Sequence, residues 1–95
     1  MTRGAKAVVE ATGVPRTTLM RWVEEGLLQP RPRGRGTPQE WPAAEVAIAV
    51  LLARLVAAGM HTAPAAAVAR TVVAFGLDEV ELGQGLTLKI APPPI

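Results

Sequence analysis

The 95-residue sequence contains no cysteine and few aromatic residues. Without cysteine, disulfide bonds, thiolate metal sites and cysteine nucleophiles are excluded. Only 3% of the residues are aromatic although 49% are hydrophobic, so the core must be built mainly from Ala, Val and Leu. A chain of this length buries only about two-thirds of its unfolded surface. We therefore expect one small domain with a thin margin of stability, for which a second subunit would be a help.

The sequence also lacks a long hydrophobic run. Its most apolar stretch, VAIAVLLA at residues 46–53, is far shorter than the ~20 residues of a membrane-spanning helix. The N-terminal MTRGAKAVVEATG has no apolar core of the kind found in signal peptides. We therefore expect a cytoplasmic protein that has no membrane partner.

Arrangements of side chains that carry out catalysis are missing as well. The sequence has no Ser/His/Asp constellation, phosphate-binding glycine loop or metal-binding cluster. The single histidine, His61, has no second ligand nearby, and the adjacent carboxylates of Glu24 and Glu25 point in different directions from a helix end. An acid–base pair needs convergent groups in a pocket. The sequence therefore predicts no enzyme activity, no catalytic residue, no metal and no cofactor.

Positive charge is concentrated in the first part of the chain. Residues 1–36 contain seven basic and three acidic residues, a net charge of +4, whereas residues 37–95 contain three basic and five acidic residues, a net charge of −2. This asymmetry indicates an anionic partner for the N-terminal part. A solvated surface is the alternative that charge alone leaves open.

Hydrophobic spacing predicts four short helices, at residues 4–11, 15–25, 42–59 and 62–76. In the second helix, Leu19 and Val23 lie one turn apart and are predicted to face the core, with Trp22 flanking them. In the fourth helix, Thr62 is predicted to be the N-cap and Phe75 to belong to the apolar stripe.

The predicted third helix is apolar nearly all round, so we expect other elements to cover it on more than one side. Its main stripe is formed by Ile48, Leu51, Leu52 and Leu55, and a smaller stripe by Val46, Val50, Ala53 and Ala57. The polar residues Glu45 and Arg54 are nine positions apart, which places them on opposite sides of the helix at about 100° per residue.

Two further segments are predicted to be β-hairpins. The loop QPRPRGRGTPQEW, residues 29–41, should project from the helices, with a tip near residues 34–36. The segment VELGQGLTLKI, residues 80–90, alternates around Gln84 as a hairpin tip. An isolated two-stranded hairpin is marginal in water, so this one must pack on the helices or on another edge. The expected cross-strand pairs are Val80 with Leu88, Glu81 with Thr87, and Leu82 with Leu86.

The stretch TGVPRTTLMRWVEEGLL, residues 12–28, indicates how the first two helices are used. Two helices joined by a glycine-containing turn form a helix-turn-helix. The N-terminal residues of the second helix contact bases in the major groove of DNA. Here these residues are Arg16, Thr17 and Thr18, with Arg21 one turn later; arginine can hold guanine by two hydrogen bonds, and threonine can contact a base or a thymine methyl. The basic hairpin that follows would make a winged helix.

Residues 5–75 resemble the MerR family. The segment at 12–28 is similar to that family's turn, recognition helix and the Glu-Gly-Leu-Leu sequence at which the helix ends. WPAAEV at 41–46 is similar to the start of the helix after the wing. LVAAGMHTA at 55–63 is similar to the link between the family's third and fourth helices. The arrangement Thr-x-x-Arg-Trp at residues 18–22 resembles short BldC-like members and phage excisionase-like proteins more than it resembles the sensors of the family. The resemblance implies DNA contacts by Arg16, Thr17, Thr18 and Arg21, wing contacts by Arg31, Arg33 and Arg35, and a Trp22 that packs between helix and wing and can touch a phosphate.

The sequence departs from the family pattern at several places. Met20 and Arg21 occupy positions where sensors of the family have an arginine and an aromatic residue. The far side of the wing, at residues 38–40, is not basic. No segment matches the family's long dimerisation helix or effector-binding region, and the tail hairpin has no counterpart that we can identify.

These observations predict a mainly α fold, a winged helix-turn-helix of four short helices with a small wing hairpin and a C-terminal β-hairpin. The expected division is a DNA-binding domain at residues 1–76 and a hairpin with a Pro-rich tail at 77–95. We predict a double-stranded DNA-binding transcriptional regulator, bacterial or phage-encoded, that acts as a homodimer. Residues 15–25 would read the major groove, and the wing at 31–40 would contact the backbone.

The alternative prediction is a winged-helix module that binds another protein. Such a module could be a phage architectural protein, excisionase-like or related to packaging. It would use the apolar third helix, residues 43–58, together with the tail hairpin, residues 80–90.

Overall fold

The structure, a computed structural model, describes residues 2–31 and 39–91, with residues 2 and 3 described by their backbone only. Within these ranges the chain forms four helices and two small antiparallel sheets, which confirms the mainly α, winged helix-turn-helix fold. The helices are α1 (Ala5–Thr12), α2 (Arg16–Glu24), α3 (Ala43–Ala57) and α4 (Thr62–Phe75). The strands are β1 (Thr2–Arg3), β2 (Trp41–Pro42), β3 (Glu79–Gly83) and β4 (Leu86–Lys89).

The turn between α1 and α2 is specified by three local features. Gly13 adopts a left-handed conformation with φ 74°, which an L side chain would strain, and its N–H donates to the carbonyl of Val9 at 2.9 Å. The hydroxyl of Thr12 donates to the carbonyl of Val8 at 2.9 Å. Pro15, in extended conformation, then starts α2. The helix-turn-helix is therefore encoded by residues that lie next to each other in the sequence.

The buried face of α2 differs in part from the face predicted from the sequence. Leu19 is fully buried, as predicted, but Trp22 is also buried, at 2% exposed, whereas Val23 is only half-buried. The buried face of α2 is thus centred on positions 19 and 22, one turn apart, and Trp22 belongs to the core rather than to its flank. The largest fully buried side chains are Trp22, Trp41, Leu19, Leu28, Leu52 and Val8.

Helix α3 lies at the centre of the molecule and packs against α1, α4 and β2. The four residues of its predicted main stripe, Ile48, Leu51, Leu52 and Leu55, are all buried. Of the smaller stripe, only Ala53 is buried and Ala57 is exposed. The prediction that α3 is covered on more than one side is confirmed by the helices on either side of it.

Helix α4 contacts α3 through small side chains. Its buried residues are Ala65, Ala66, Ala69 and Val72. Phe75, predicted to join this stripe, is 75% exposed. At about 100° per residue it lies roughly 110° from the centre of the alanine face, so the prediction was wrong. Thr62 was also wrongly predicted as the N-cap, since His61 holds that position and no side chain forms a cap hydrogen bond there.

The base of the wing is an antiparallel bridge between Arg31 and Glu40. Their backbone groups exchange two hydrogen bonds, of 2.8 and 2.9 Å. The predicted wing tip at residues 34–36 lies outside the described residues. The strand that follows the bridge, β2, pairs with β1 so that Arg3 lies opposite Trp41. This pairing of the N terminus with the chain beyond the wing was not predicted from the sequence.

The C-terminal hairpin has most of the predicted register. Val80 pairs with Leu88 and Glu81 pairs with Thr87, as predicted. Leu82 does not pair with Leu86, because a bulge shifts the register and Gly83 takes that place. Gln84 and Gly85, with φ 56° and 76°, form the loop. Positive φ at both loop residues matches the right-handed twist of a short hairpin.

The hairpin folds back onto the helices. Val80, Leu88 and Ile90 pack against the hydrophobic core, and the guanidinium of Arg54 donates to the carbonyl of Ala91 at 2.9 Å. A cavity of about 180 Å³ separates β4 from α3 and is lined by Leu51, Arg54, Leu55, Ala58, Leu88, Lys89 and Ile90. Among the described helices, none is long and apolar enough to cross a membrane.

Candidate nucleic-acid interface

The first turn and a half of α2 presents polar side chains to solvent. Arg16, Thr17 and Arg21 are exposed and Thr18 is half-buried, while Leu19 behind them is completely buried. The predicted burial of Leu19 is therefore confirmed, and Arg16 and Arg21 have the exposure that DNA contacts would require. Thr17 and Arg21 are four residues apart and share one side of the helix. The helix is anchored by its buried side chains Leu19 and Trp22, so these exposed side chains can extend toward a ligand.

The start of α2 adds backbone donors to this surface. The first described intrahelical hydrogen bond of α2 runs from the N–H of Leu19 to the carbonyl of Pro15, at 3.1 Å, and no side chain forms a cap hydrogen bond. The N–H groups of the first helical turn have no carbonyl within the helix to bond. Together with the helix dipole, such groups suit an anion such as phosphate.

A groove of about 450 Å³ extends this surface toward α1. It is lined by Gly4, Ala5, Lys6, Arg16, Met20 and Gln39. The groove brings the start of α1, the exposed side of α2 and the chain just before the wing base together, and both of its basic residues, Lys6 and Arg16, are exposed. Lys6 was not among the predicted site residues. The concentration of positive charge in residues 1–36 is the signal that could have identified it.

Trp22 does not belong to the exposed surface. Its indole nitrogen has almost no solvent-accessible area and, within the described residues, no hydrogen-bond partner. A phosphate contact through this N–H would require Trp22 to leave the core, so burial argues against such a contact, and the place of Trp22 in the DNA-contacting set stays a prediction. The packing role that the resemblance also implied is the one that fits a side chain buried in the cluster with Leu19 and Trp41.

Arg31 is exposed at the wing base, where its backbone is held against Glu40. This position places a basic side chain at the start of the wing. The other two predicted wing residues, Arg33 and Arg35, lie outside the described residues. The contacts of all three with DNA stay predictions.

A network of hydrogen bonds lies behind the interface, at the end of the α2 segment. Glu45 in the first turn of α3 is 7% exposed, and its Oε2 accepts hydrogen bonds from the N–H of Gln29 at 2.7 Å and from Nη2 of Arg70 at 2.8 Å. Nη1 of Arg70 donates to the other carboxylate oxygen at 3.2 Å, and Nη2 also donates to the carbonyl of Leu27 at 3.1 Å. Sequence reasoning placed Glu45 on α3 but identified no partner for it.

The two charged groups shift each other's ionisation. Burial acts to raise the pKa of Glu45, but hydrogen bonds from Arg70 and Gln29 and the positive charge of Arg70 outweigh it, so this pKa is lowered from its usual 4.5. The hydrogen bond to Glu45 raises the pKa of Arg70. Both groups are therefore charged at neutral pH. Among the described residues, no group of three or more His, Asp or Glu could hold a metal ion.

Comparison with protein families agrees with this geometry. A family model described as "MerR HTH family regulatory protein" matches residues 5–71. The match includes α1, α2, the wing base, α3 and most of α4, and it ends before the C-terminal hairpin. Comparison with curated proteins finds no match.

Proposed function

We propose, on the premise that this chain belongs to the MerR family of helix-turn-helix regulatory proteins, that it binds double-stranded DNA and regulates transcription. The observation that carries the proposal is the polar surface of α2, where Arg16, Thr17 and Arg21 are exposed in front of a buried Leu19. A helix with such a surface fits the major groove, and its first residues meet base edges there.

The proposal assigns different tasks to α2 and its surroundings. Arg16 and Arg21 would read bases, since arginine can form two hydrogen bonds with guanine. Lys6, the free N–H groups at the start of α2 and the wing residues Arg31, Arg33 and Arg35 would contact phosphates, which fix the register of a protein on the duplex but do not read its sequence. Lys6 and Arg16 line one groove, so a phosphate there could be held between α1 and α2.

A duplex-binding experiment tests this proposal. Binding of random-sequence duplex DNA, measured by gel shift or fluorescence anisotropy at low salt, should be detectable and should weaken with salt at a slope of about −0.9 per phosphate contact. The double change Arg33→Ala and Arg35→Ala should make the slope shallower by about 2 without changing base preference. Lys89→Ala, which removes one exposed charge from the hairpin, is a control outside the wing and should leave the slope unchanged. Absence of duplex binding at low salt would refute the proposal.

The proposal extends to a homodimer that forms through the C-terminal hairpin. Leu86 lies on the same face as Leu88 but is 62% exposed, and Leu82 at the bulge is 48% exposed. The hairpin also has two strand edges, which proteins normally pair or cover. A twofold dimer would place two recognition helices about 34 Å apart, one turn of DNA, as two half-sites require. Sedimentation without DNA at tens of micromolar tests it, and a monomer there would refute the dimer.

A protein partner at the hairpin is the second candidate function. Part of the α3 surface that the sequence analysis offered to such a partner, around Leu51 and Leu55, faces the chain's own hairpin across a shared cavity. The exposed leucines Leu82 and Leu86 favour the hairpin itself as the contact surface. A chain that binds no duplex DNA but co-purifies with a defined partner, and loses it on Leu86→Ser, would support this function over DNA binding.

The location also follows from the proposed partner. A regulator of transcription must reach the genome, so we propose that the protein acts in the cytoplasm of a bacterium and is encoded by the bacterium or by a phage. Detection of the tagged protein with the nucleoid, and its loss from the nucleoid on Arg16→Ala and Arg21→Ala, tests this location.

A further inference from the structure

We propose that Glu45 and Arg70 are positioning residues that orient the wing relative to the recognition helix α2. The inference rests on the proposed DNA-binding function and adds two residues that do not contact DNA themselves. It is carried by the hydrogen bonds that converge on residues 27–29, the segment that joins the end of α2 to the wing base at Arg31.

Hydrogen bonds from two different helices hold this segment. Glu45 on α3 accepts from the N–H of Gln29 at 2.7 Å, and Arg70 on α4 donates to the carbonyl of Leu27 at 3.1 Å. Leu28, between the two bonded residues, is buried. The remaining described backbone bonds of the segment return to the carbonyl of Trp22 on α2. The side chains of Glu45 and Arg70 thus form hydrogen bonds that connect the segment after α2 to α3 and to α4.

Glu45 also connects the two ends of the wing. The first end is held by the hydrogen bond from the N–H of Gln29 to Glu45, since Gln29 lies only two residues before Arg31 at the wing base. The second end is held by the chain itself, because Glu40 is followed by β2 and then by α3, whose first turn contains Glu45. One carboxylate therefore closes the segment from residue 29 to residue 45, and the Arg31–Glu40 bridge lies inside that closed segment.

The chemistry of the Glu45–Arg70 pair suits a role in orienting the segment at residues 27–29 better than a role in stabilising the fold alone. Apolar side chains of similar volume often stabilise a core as well as a buried ion pair does. They could not, however, bond the N–H of Gln29 and the carbonyl of Leu27, two partly buried backbone groups that the charged pair supplies with partners. A charged pair with fixed hydrogen-bond directions meets both needs and holds the segment in one place.

The experiment compares Glu45→Ala with Val72→Ala, a core variant on the same α4 that carries Arg70. Denaturant unfolding measures the free energy of unfolding of each variant, so that their losses of stability can be compared. DNA binding is then measured for each variant at several salt concentrations. If the wing makes one to three phosphate contacts, Glu45→Ala should make the salt slope shallower by about 1 to 3, while Val72→Ala should keep the slope of the unchanged protein. Equal slopes in the two variants, or an unchanged slope in Glu45→Ala, would overturn the positioning role.

A second readout does not depend on DNA. Amide hydrogen exchange of Gln29 and Arg31, measured by NMR on the free protein, should become up to about tenfold faster in Glu45→Ala, as expected for a lost hydrogen bond, and not in Val72→Ala. If the unchanged protein binds no DNA, the proposed function fails while the exchange data still report on the wing base. If Glu45→Ala does not fold, Arg70→Met is used, which keeps the apolar stem but removes the bond to Leu27. Unchanged exchange of Gln29 in a folded Glu45→Ala, or unchanged exchange of Arg31 in Arg70→Met, would also overturn the inference.

Discussion

The surface of α2 and the outer half of the C-terminal hairpin are both exposed, but their chemistry is opposite. On α2 the exposed residues include two arginines and a threonine, whose charged and polar groups remain solvated in water. On the hairpin and the adjoining end of α4 the exposed residues include Leu86 and Phe75, at 62% and 75%. An exposed charged side chain stays solvated at little cost in free energy, whereas exposed apolar side chains that form a contiguous patch normally mark a surface that another protein covers. The proposed DNA contact and the proposed protein contact therefore fall on regions of opposite chemistry.

The largest effect is expected from the residue that lies directly behind the α2 surface. Trp22→Ala should lower the free energy of unfolding by about 3–5 kcal/mol, because the cavity left by a buried tryptophan cannot be refilled. Trp22→Phe keeps most of the apolar volume and removes the indole N–H. It should fold and keep the DNA affinity of the unchanged protein, as measured by denaturant unfolding and anisotropy. A folded Trp22→Phe with a large loss of affinity would return Trp22 to the DNA-contacting residues.

The next effect concerns the exposed side of the same helix. Arg16→Ala should cost about 1–3 kcal/mol of discrimination at one base position of a selected binding site, with little change in the free energy of unfolding because Arg16 is exposed. The measurement is anisotropy with the selected site and with single-base variants of it. Lys89→Ala serves again as the charge-matched control. Equal weakening on all sequences would place Arg16 among the phosphate contacts instead.

The contrast between these two residues shows what could be predicted from the sequence. Burial of Leu19 and exposure of Arg16 and Arg21 follow from spacing along one helix, and the turn before them is marked by Gly13 and Pro15, so local rules sufficed. Trp22 was misplaced because position 22 or position 23 can face the core equally well until the other helices are in place. Local spacing orients a helix to within about one residue, and tertiary packing decides the rest.

Features that join distant parts of the chain could not be predicted in this way. Glu45 and Arg70 are 25 residues apart, and their contact depends on how α3 and α4 pack. The pairing of β1 with β2 joins residues 2–3 to 41–42. The exposure of Phe75 likewise depends on which side of α4 is occupied by alanine. In each case the outcome depends on how the elements are arranged in space. Hydrophobic spacing within one element contains no information about that arrangement.

A smaller effect is expected on the apolar side of the molecule. The double change Leu82→Ser and Leu86→Ser should abolish self-association, because it removes the exposed apolar side chains of the hairpin. The free energy of unfolding of the monomer should change by no more than about 0.5 kcal/mol, as is usual for exposed positions. Sedimentation and denaturant unfolding measure the two quantities. Thr87→Ser, on the opposite face of the hairpin, is the control. If the double variant still self-associates, the contact surface lies elsewhere.

The smallest effect is expected from acid, and it should be confined to the side of the molecule that carries the wing. The pKa of Glu45 is lowered in the folded protein from its usual 4.5 by Arg70 and the N–H of Gln29. The ionised carboxylate therefore stabilises the fold at pH values above the unfolded pKa, and this contribution is lost as the pH falls through the lower, folded-state pKa. Glu45→Gln cannot ionise, so the difference in free energy of unfolding between the unchanged protein and this variant should be largest at neutral pH and should shrink below pH about 4.

Denaturant unfolding at a series of pH values measures this difference, and the NMR shift of the Gln29 amide should follow the same titration, while amides of β3 and β4 should not. A difference that stays constant from neutral pH to pH about 3 would mean that the charge of Glu45 contributes nothing and that the hydrogen bonds alone, which glutamine can partly replace, hold the wing base.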